Sequence, residues 1–118
     1  MIPALVIGAG ALGALLRWLV ATAFERTERF PWAVLVVNVF GSALAGVVLG
    51  LAERAALGED VRLILLTGVC GGLTTFSTFG VETVQLVQQR RPGIAVLSVA
   101  ANVVLGVGAC ALGFLFMR

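Results

Sequence analysis

The chain has 118 residues, of which 60% are hydrophobic and 12% are charged, and its mean hydropathy is +1.11. Ordinary soluble domains carry roughly 25% charged residues, so this composition argues against a water-soluble domain and is typical of an integral membrane protein. Eight arginines, scattered along the chain against six acids, form no nucleic-acid-binding patch. No histidine is present and the two cysteines lack ligand spacing, so a zinc or haem site has almost no candidate ligands.

Charged residues and prolines divide the chain into four apolar stretches, each long enough to cross a bilayer core that needs about 20 helical residues. Pro31 suits the first turn of the second helix, where its missing N–H costs nothing. We predict an all-α integral membrane protein with one four-helix transmembrane domain, residues 1–118, whose helices cover 4–24, 31–51, 61–89 and 93–116.

The arginines between the helices give little information on orientation. Four lie on one side of the predicted membrane and three on the other: Arg26, Arg29, Arg90 and Arg91 against Arg54, Arg62 and Arg118. Because the positive-inside rule depends on such a difference, a chain this balanced is able to insert both ways and pair with an inverted copy of itself. Dual topology is therefore a hypothesis from the sequence.

Small residues form two candidate packing faces. Ser42, Gly46 and Gly50 recur at four-residue spacing in the second helix, and the fourth helix carries Gly106, Gly108, Ala109 and Gly113. Small faces let membrane helices approach closely. Packing within one chain and packing between two chains explain them equally well.

The third helix contains five hydroxyls, four glycines and one acid between Thr67 and Glu82. Glycine and threonine are poor helix formers, and Gly71-Gly72 favours a break. Broken backbone in hydrocarbon is tolerated only where protein, water or an ion satisfies it, so carbonyls freed near Gly71 and Thr74 are candidate cation ligands. The alternative is a glycine kink whose hydroxyls bond back to the helix.

Phe76 and Phe79 are three residues apart and share a helix face, which Glu82 continues. A phenyl ring has a negative face and a positive edge, so faces turned to a pore favour cations and edges favour a small anion. Core packing is the alternative for this pair, and the sequence does not decide the ring orientation.

Single polar residues stand inside the other helices. Asn38 is a candidate anion donor or an interhelical hydrogen-bonding residue. Arg17, the only charge predicted within the first helix, either reaches the membrane interface or lines an anion-attracting vestibule. Glu82 is either a charge at the end of a pore or a partner for Arg17. Asn102, with Ser98 one turn before it, is the matching polar residue of the fourth helix.

Three motifs together resemble the Fluc (CrcB) family of small fluoride channels along the whole chain: Gly8-x-Gly10-x-x-Gly13-Ala14-x-x-Arg17, Asn38-x-x-Gly41-Ser42, and Gly68-x-Cys70-Gly71-Gly72-Leu73-Thr74-Thr75-Phe76-Ser77-Thr78-Phe79-x-x-Glu82. The resemblance implies an antiparallel, dual-topology homodimer in the lipid bilayer of a plasma membrane. Such a dimer exports fluoride passively, which relieves fluoride toxicity, and holds one structural sodium ion (Na+).

The resemblance also implies roles for individual residues. The carbonyls of Gly71 and Thr74 would hold sodium, and Phe76 and Phe79 would line the fluoride path. Asn38, Ser77, Thr78 and Glu82 match further path positions, with Arg17, Ser98 and Asn102 as additional candidates. The fourth helix departs from the family, since several members place Tyr and Ser there and this chain has no Tyr.

A selective fluoride pore must replace the water of a small, strongly hydrated ion with closely placed donors and positive ring edges. No nucleotide motif or proton relay is visible, so we expect a channel and neither an enzyme nor a pump. The alternative is a small multidrug-resistance-type cation/proton exchanger, which shares the length and helix number. That class needs an acid in the first helix, where this chain has Arg17.

Overall fold

The structure, a computed structural model, describes residues 1–24 and 30–118. The predicted loop 25–29, with Arg26 and Arg29, lies outside the described residues. Helices α1 and α2 cover Ile2–Ala23 and Trp32–Glu53, and α6 covers Pro92–Met117. Between α2 and α6 come α3 (Glu59–Leu63), a π-helical segment (Ile64–Cys70), α4 (Gly71–Leu73) and α5 (Ser77–Gln88).

Four spans in the described part of the chain are long and apolar enough to cross a membrane, which confirms the predicted fold class. The third of them, Glu59–Gln88, is composed of α3, the π-helical segment, α4 and α5. Hydropathy does not predict the π-helical segment, whose wider turns change the register of the residues that follow.

Helix α1 packs closely against the third span through glycines of both elements. A Cβ added at Gly13 would lie 2.5 Å from the Val69 carbonyl oxygen, and one at Gly72 would overlap the Gly10 backbone. Gly71 and Gly72 are themselves helical, with Gly71 at φ −63° and ψ −36°. The break that Gly71-Gly72 favours lies just after this pair: Gly72 packs against α1, Gly71 is exposed, and the helix continues through both to Leu73.

Helices α2 and α6 form the most extensive contact of the fold. A Cβ at Gly46 would overlap the Cys110 carbonyl of α6, and one at Gly50 would lie 2.6 Å from the Phe114 carbonyl oxygen. Gly113 of α6 in turn faces the backbone of α2 at Ala43 and Val47. These small residues thus pack within one chain, which decides between the two alternatives for them, whereas Gly108 faces open space.

Helix α2 lies at the centre of the chain. In an apolar 18-residue stretch of α2, 39% of the residues are buried, against 6% in the corresponding stretch of α1. Helix α2 supplies the buried Val34, Leu35, Val37 and Val48. The outer helices expose many large apolar side chains, such as Leu12 of α1 and Leu112 of α6. A surface of this kind is stable only against lipid or another apolar protein surface.

We predict that Gly46→Ala destabilises the chain by about 1–3 kcal/mol, because the added methyl group overpacks a contact made by backbone atoms on both sides. Gly108→Ala is the matched control, since nothing lies within 4 Å of its added Cβ. Thermal unfolding in detergent compares the two variants. Equal unfolding midpoints for both variants and the wild type would contradict close α2–α6 packing.

Candidate functional site

The third span loses its helical conformation between α4 and α5. Thr74 has extended backbone, with φ −77° and ψ 157°, and helical structure resumes at Ser77. The Thr74 hydroxyl does bond back to the Cys70 carbonyl at 2.9 Å, as the kink alternative predicts. The extended backbone that follows nevertheless makes this a break, which confirms the predicted broken third helix.

Side-chain oxygens accept hydrogen bonds from two N–H groups that would bond to backbone carbonyls in a continuous helix. The Thr75 N–H donates to Asn38 Oδ1 at 2.8 Å, and the Thr78 N–H donates to Thr75 Oγ1 at 3.2 Å. In an unbroken helix these two groups would donate to the carbonyls of Gly71 and Thr74. Those two carbonyls are therefore left without their helical donors.

Asn38 joins α2 to both the break and α6. Its Nδ2 donates to the Thr75 carbonyl at 3.1 Å and to Asn102 Oδ1 at 3.0 Å, while Asn102 Nδ2 donates to the Ser98 carbonyl at 2.8 Å. Asn38 thus has the interhelical contacts that one alternative gave it. Its role as a donor to an anion stays a prediction.

A cavity of about 340 Å³, which we call the phenylalanine cavity, opens beside the break. The rings of Phe76 and Phe79 lie 6.0 Å apart between centroids and are tilted by 48°. Phe76 is 84% exposed in the single chain, so this ring is not part of the core. The cavity is lined by Asn38, Ser42, Thr74, Thr75, Phe76, Phe79, Asn102 and Val103.

A second cavity of about 250 Å³, the arginine cavity, lies between α1, α2 and α5. Arg17 and Glu82 both line it, and no ion pair joins them among the residues that the structure describes. Glu82 Oε2 is buried there without a hydrogen-bond partner. The vestibule role of Arg17 stays a prediction. The other lining residues are Ala14, Trp18, Ala21, Ala33, Val34, Val37, Thr75 and Thr78.

Thr75 lines both cavities and is itself buried, with 7% of its surface exposed. Thr75 is not among the site residues predicted from the sequence, and neither are Ser42 and Val103. A usable signal existed for Thr75: threonine hydroxyls often accept a nearby backbone N–H at helix starts, and the Thr75 hydroxyl accepts the Thr78 N–H just before α5 begins.

Seven of the nine predicted path residues line one of the two cavities. Asn38, Phe76, Phe79 and Asn102 meet at the phenylalanine cavity, while Arg17, Thr78 and Glu82 meet at the arginine cavity. Ser77 and Ser98 line neither of these two cavities. The Ser77 hydroxyl lies 3.4 Å from that of Thr75, and Ser98 is completely buried with an unpartnered hydroxyl.

Four apolar spans, a broken helix and polar cavities at the break define a membrane protein of the channel and transporter class, because lipid tolerates irregular backbone only where it is buried or lines a cavity. Residues 4–114 match the family model described as CrcB-like protein, Camphor Resistance (CrcB). The chain belongs to this family.

Curated relatives support the assignment over nearly their full lengths. The chain is 40% identical to a protein of Nitrobacter winogradskyi, over 96% of this chain and 92% of that one, and 45% identical to one of Novosphingobium aromaticivorans, over 92% and 90%. Both are named fluoride-specific ion channel FluC. A Rhodococcus jostii relative named fluoride-specific ion channel FluC 2 is 44% identical over 93% of each chain.

These findings give no support to the cation/proton exchanger. The relatives are named as ion channels, and α1 carries Arg17 and no acid.

We predict that Ser98→Ala leaves fluoride efflux from liposomes unchanged and stabilises the chain by about 1 kcal/mol, because it removes a buried hydroxyl that has no partner. The carbonyl that receives Asn102 is retained in this variant. Efflux and the midpoint of thermal unfolding are measured on the same preparation. A clear loss of efflux in a folded variant would place the Ser98 hydroxyl on the ion path.

Proposed function

We propose that this chain forms a fluoride-selective channel, and not an enzyme, that lets fluoride leave the cell passively across the plasma membrane and so relieves fluoride toxicity. The observation that carries the proposal is the break at Thr74–Phe76, which places Thr75 between two cavities inside a membrane span and two aromatic rings in one of them. The fluoride-specific names of relatives at 40–45% identity support the choice of ion.

The charges and dipoles at the break favour an anion. Helix α5 begins at the break, and a helix N-terminus carries unpaired N–H groups and a partial positive charge. Hydroxyls of Thr75 and Thr78 and the guanidinium of Arg17 lie on the arginine-cavity side of this terminus. An anion entering there exchanges water for hydrogen-bond donors and a positive charge, which the Glu82 carboxylate of the same cavity opposes in part.

The phenylalanine cavity suits a small anion better than a large one. Tilted rings present positive edges as well as negative faces to their surroundings, and edges favour an anion. Fluoride sheds its tightly held water only where donors approach closely, and larger halides fit such a cage less well. Selectivity for fluoride over chloride follows from this size dependence.

We propose an antiparallel homodimer as the working unit. Phe76 lines the phenylalanine cavity yet is 84% exposed, so one chain supplies only part of the wall around that ring. An inverted second copy would cover it and enclose the path. The near-equal distribution of arginines over the two sides supports insertion in both directions. Lipid would cover the remaining apolar surface.

The freed carbonyls fit a structural sodium ion. Gly71 and Thr74 have lost their helical donors to Asn38 and Thr75, and Gly71 is exposed on the surface of the chain, where a second copy can approach it. Backbone carbonyl oxygens are hard ligands of the kind that such cations take. We propose that these two carbonyls hold sodium, whose charge would satisfy the broken backbone and offset part of the cost of dehydrating an anion nearby.

The first test is fluoride efflux from liposomes that contain the purified protein, with chloride as the comparison ion. We expect efflux of fluoride and none of chloride. Phe79→Ile should reduce fluoride efflux about tenfold or more, because the aliphatic side chain has no positive edge to offer. Phe116→Ile is the control, since that ring is 80% exposed on α6 and lines neither cavity.

Chloride efflux as fast as fluoride efflux would overturn the selectivity, and no fluoride efflux in sodium buffer would overturn the channel. Equal rates in both phenylalanine variants and the wild type would show that the Phe79 ring does not line the path.

Sodium is tested separately. Exhaustive replacement of sodium by N-methylglucamine should lower fluoride efflux about tenfold or more, because a bound ion stabilises only the state that holds it, and returning sodium should restore the rate. Efflux that stays unchanged after replacement would remove sodium from the proposal and leave the fluoride channel intact.

A further inference from the structure

A directional series of amide hydrogen bonds connects α6, α2 and the break. Asn102 Nδ2 donates to the Ser98 carbonyl, and Asn102 Oδ1 accepts from Asn38 Nδ2. Asn38 Nδ2 also donates to the Thr75 carbonyl, and Asn38 Oδ1 accepts from the Thr75 N–H. We call this series, Ser98–Asn102–Asn38–Thr75, the amide relay.

The relay runs in one direction because it starts at a group that only accepts. The Ser98 carbonyl requires the NH2 end of Asn102, so Asn102 turns its oxygen towards Asn38. That oxygen in turn requires the NH2 end of Asn38, which leaves the Asn38 oxygen for the Thr75 N–H. Reversing the Asn38 amide would break all three of its hydrogen bonds.

Counting donors shows what Asn38 is able to do in this arrangement. A side-chain amide has two N–H groups, and both of those on Asn38 have protein acceptors at 3.0 and 3.1 Å. Both are thus engaged within the chain in this structure. The Asn38 amide, which the sequence left open as an anion donor or an interhelical residue, is bonded to both backbone groups of Thr75.

We infer that Asn102 and Asn38 are positioning residues, which hold the Thr75 backbone out of the helix and so keep the break open. The inference rests on the proposed function, because it assigns these amides an indirect part in fluoride passage. Thr75 lines both cavities, so its fixed position sets the geometry between them. Asn102 acts on Thr75 indirectly, by fixing the orientation of Asn38.

The two helices that carry the relay are packed closely together. Asn38 and Asn102 stand on α2 and α6, whose backbones approach so closely at Gly46 and Gly113 that neither site has room for a methyl group. Hydrogen bonds that are partly buried and linked in series strengthen one another in a medium of low dielectric constant. Through the relay, the position of the Thr75 backbone thus depends on the positions of α2 and α6.

Asn102→Leu tests the inference, because leucine has a similar size and no hydrogen-bonding group. We expect fluoride efflux to fall about tenfold, because Asn38 loses the part-buried hydrogen bond that fixes its orientation. We also expect faster hydrogen exchange of the Thr75 amide, measured in detergent by exchange with mass spectrometry. Asn102→Gln retains the amide and should restore both readouts at least in part. Val107→Leu, at an exposed position of the same helix, should change neither.

Any other combination of results overturns the inference, including faster Thr75 exchange with wild-type efflux, which would show that the position of Thr75 does not control passage. Wild-type exchange and wild-type efflux in Asn102→Leu would overturn the relay. Reduced efflux with an unchanged Thr75 exchange rate would also overturn it, since Asn102 would then act on the ion directly. If the leucine variant does not fold, Asn102→Ala removes the same bonds with less bulk and is held to the same outcomes.

Failure of the proposed function looks different from failure of the relay. A wild-type protein that passes no fluoride refutes the channel, while the Thr75 exchange rate still reports whether Asn102 holds the break.

Discussion

The rest of the site depends on the pair of hydrogen bonds between the Asn38 amide and the backbone of Thr75. Each unpaired backbone group in hydrocarbon costs several kcal/mol, so a transmembrane helix breaks only where something else takes its N–H and C=O groups. Asn38 takes both groups of Thr75, at 2.8 and 3.1 Å. Without a partner of this shape, the third span would be driven towards an unbroken helix, which has no cavity at that depth.

Close helix packing gives that partner its position. Gly46 and Gly113 bring α2 and α6 into backbone contact, and Gly13 and Gly72 do the same for α1 and the third span. The hydrophobic effect does not drive helices together in lipid, so their association depends on the close van der Waals packing that small residues allow. Gly41, three residues after Asn38 on α2, lies directly against the Thr74 side chain, and this close approach brings Asn38 within hydrogen-bonding distance of the break.

The break gives the chain its two unlike cavities. The arginine cavity contains opposite charges, Arg17 and Glu82, and the phenylalanine cavity contains two rings and two amides. Thr75 is the residue that they share. Phe76, one of these two rings, is 84% exposed in the single chain.

The sequence by itself determined the four apolar spans, the presence of a break in the third one, and the placing of Phe76 and Phe79 on one face. These features depend on composition and on spacing within a few residues. The tertiary structure alone decided that the break falls after Leu73 and not at Gly71-Gly72, that Ser98 is buried away from both cavities, and that Thr75 separates them. The physical reason is the range of the interactions: Asn38 lies 37 residues from Thr75 and 64 from Asn102, and no local propensity encodes a hydrogen bond across that separation.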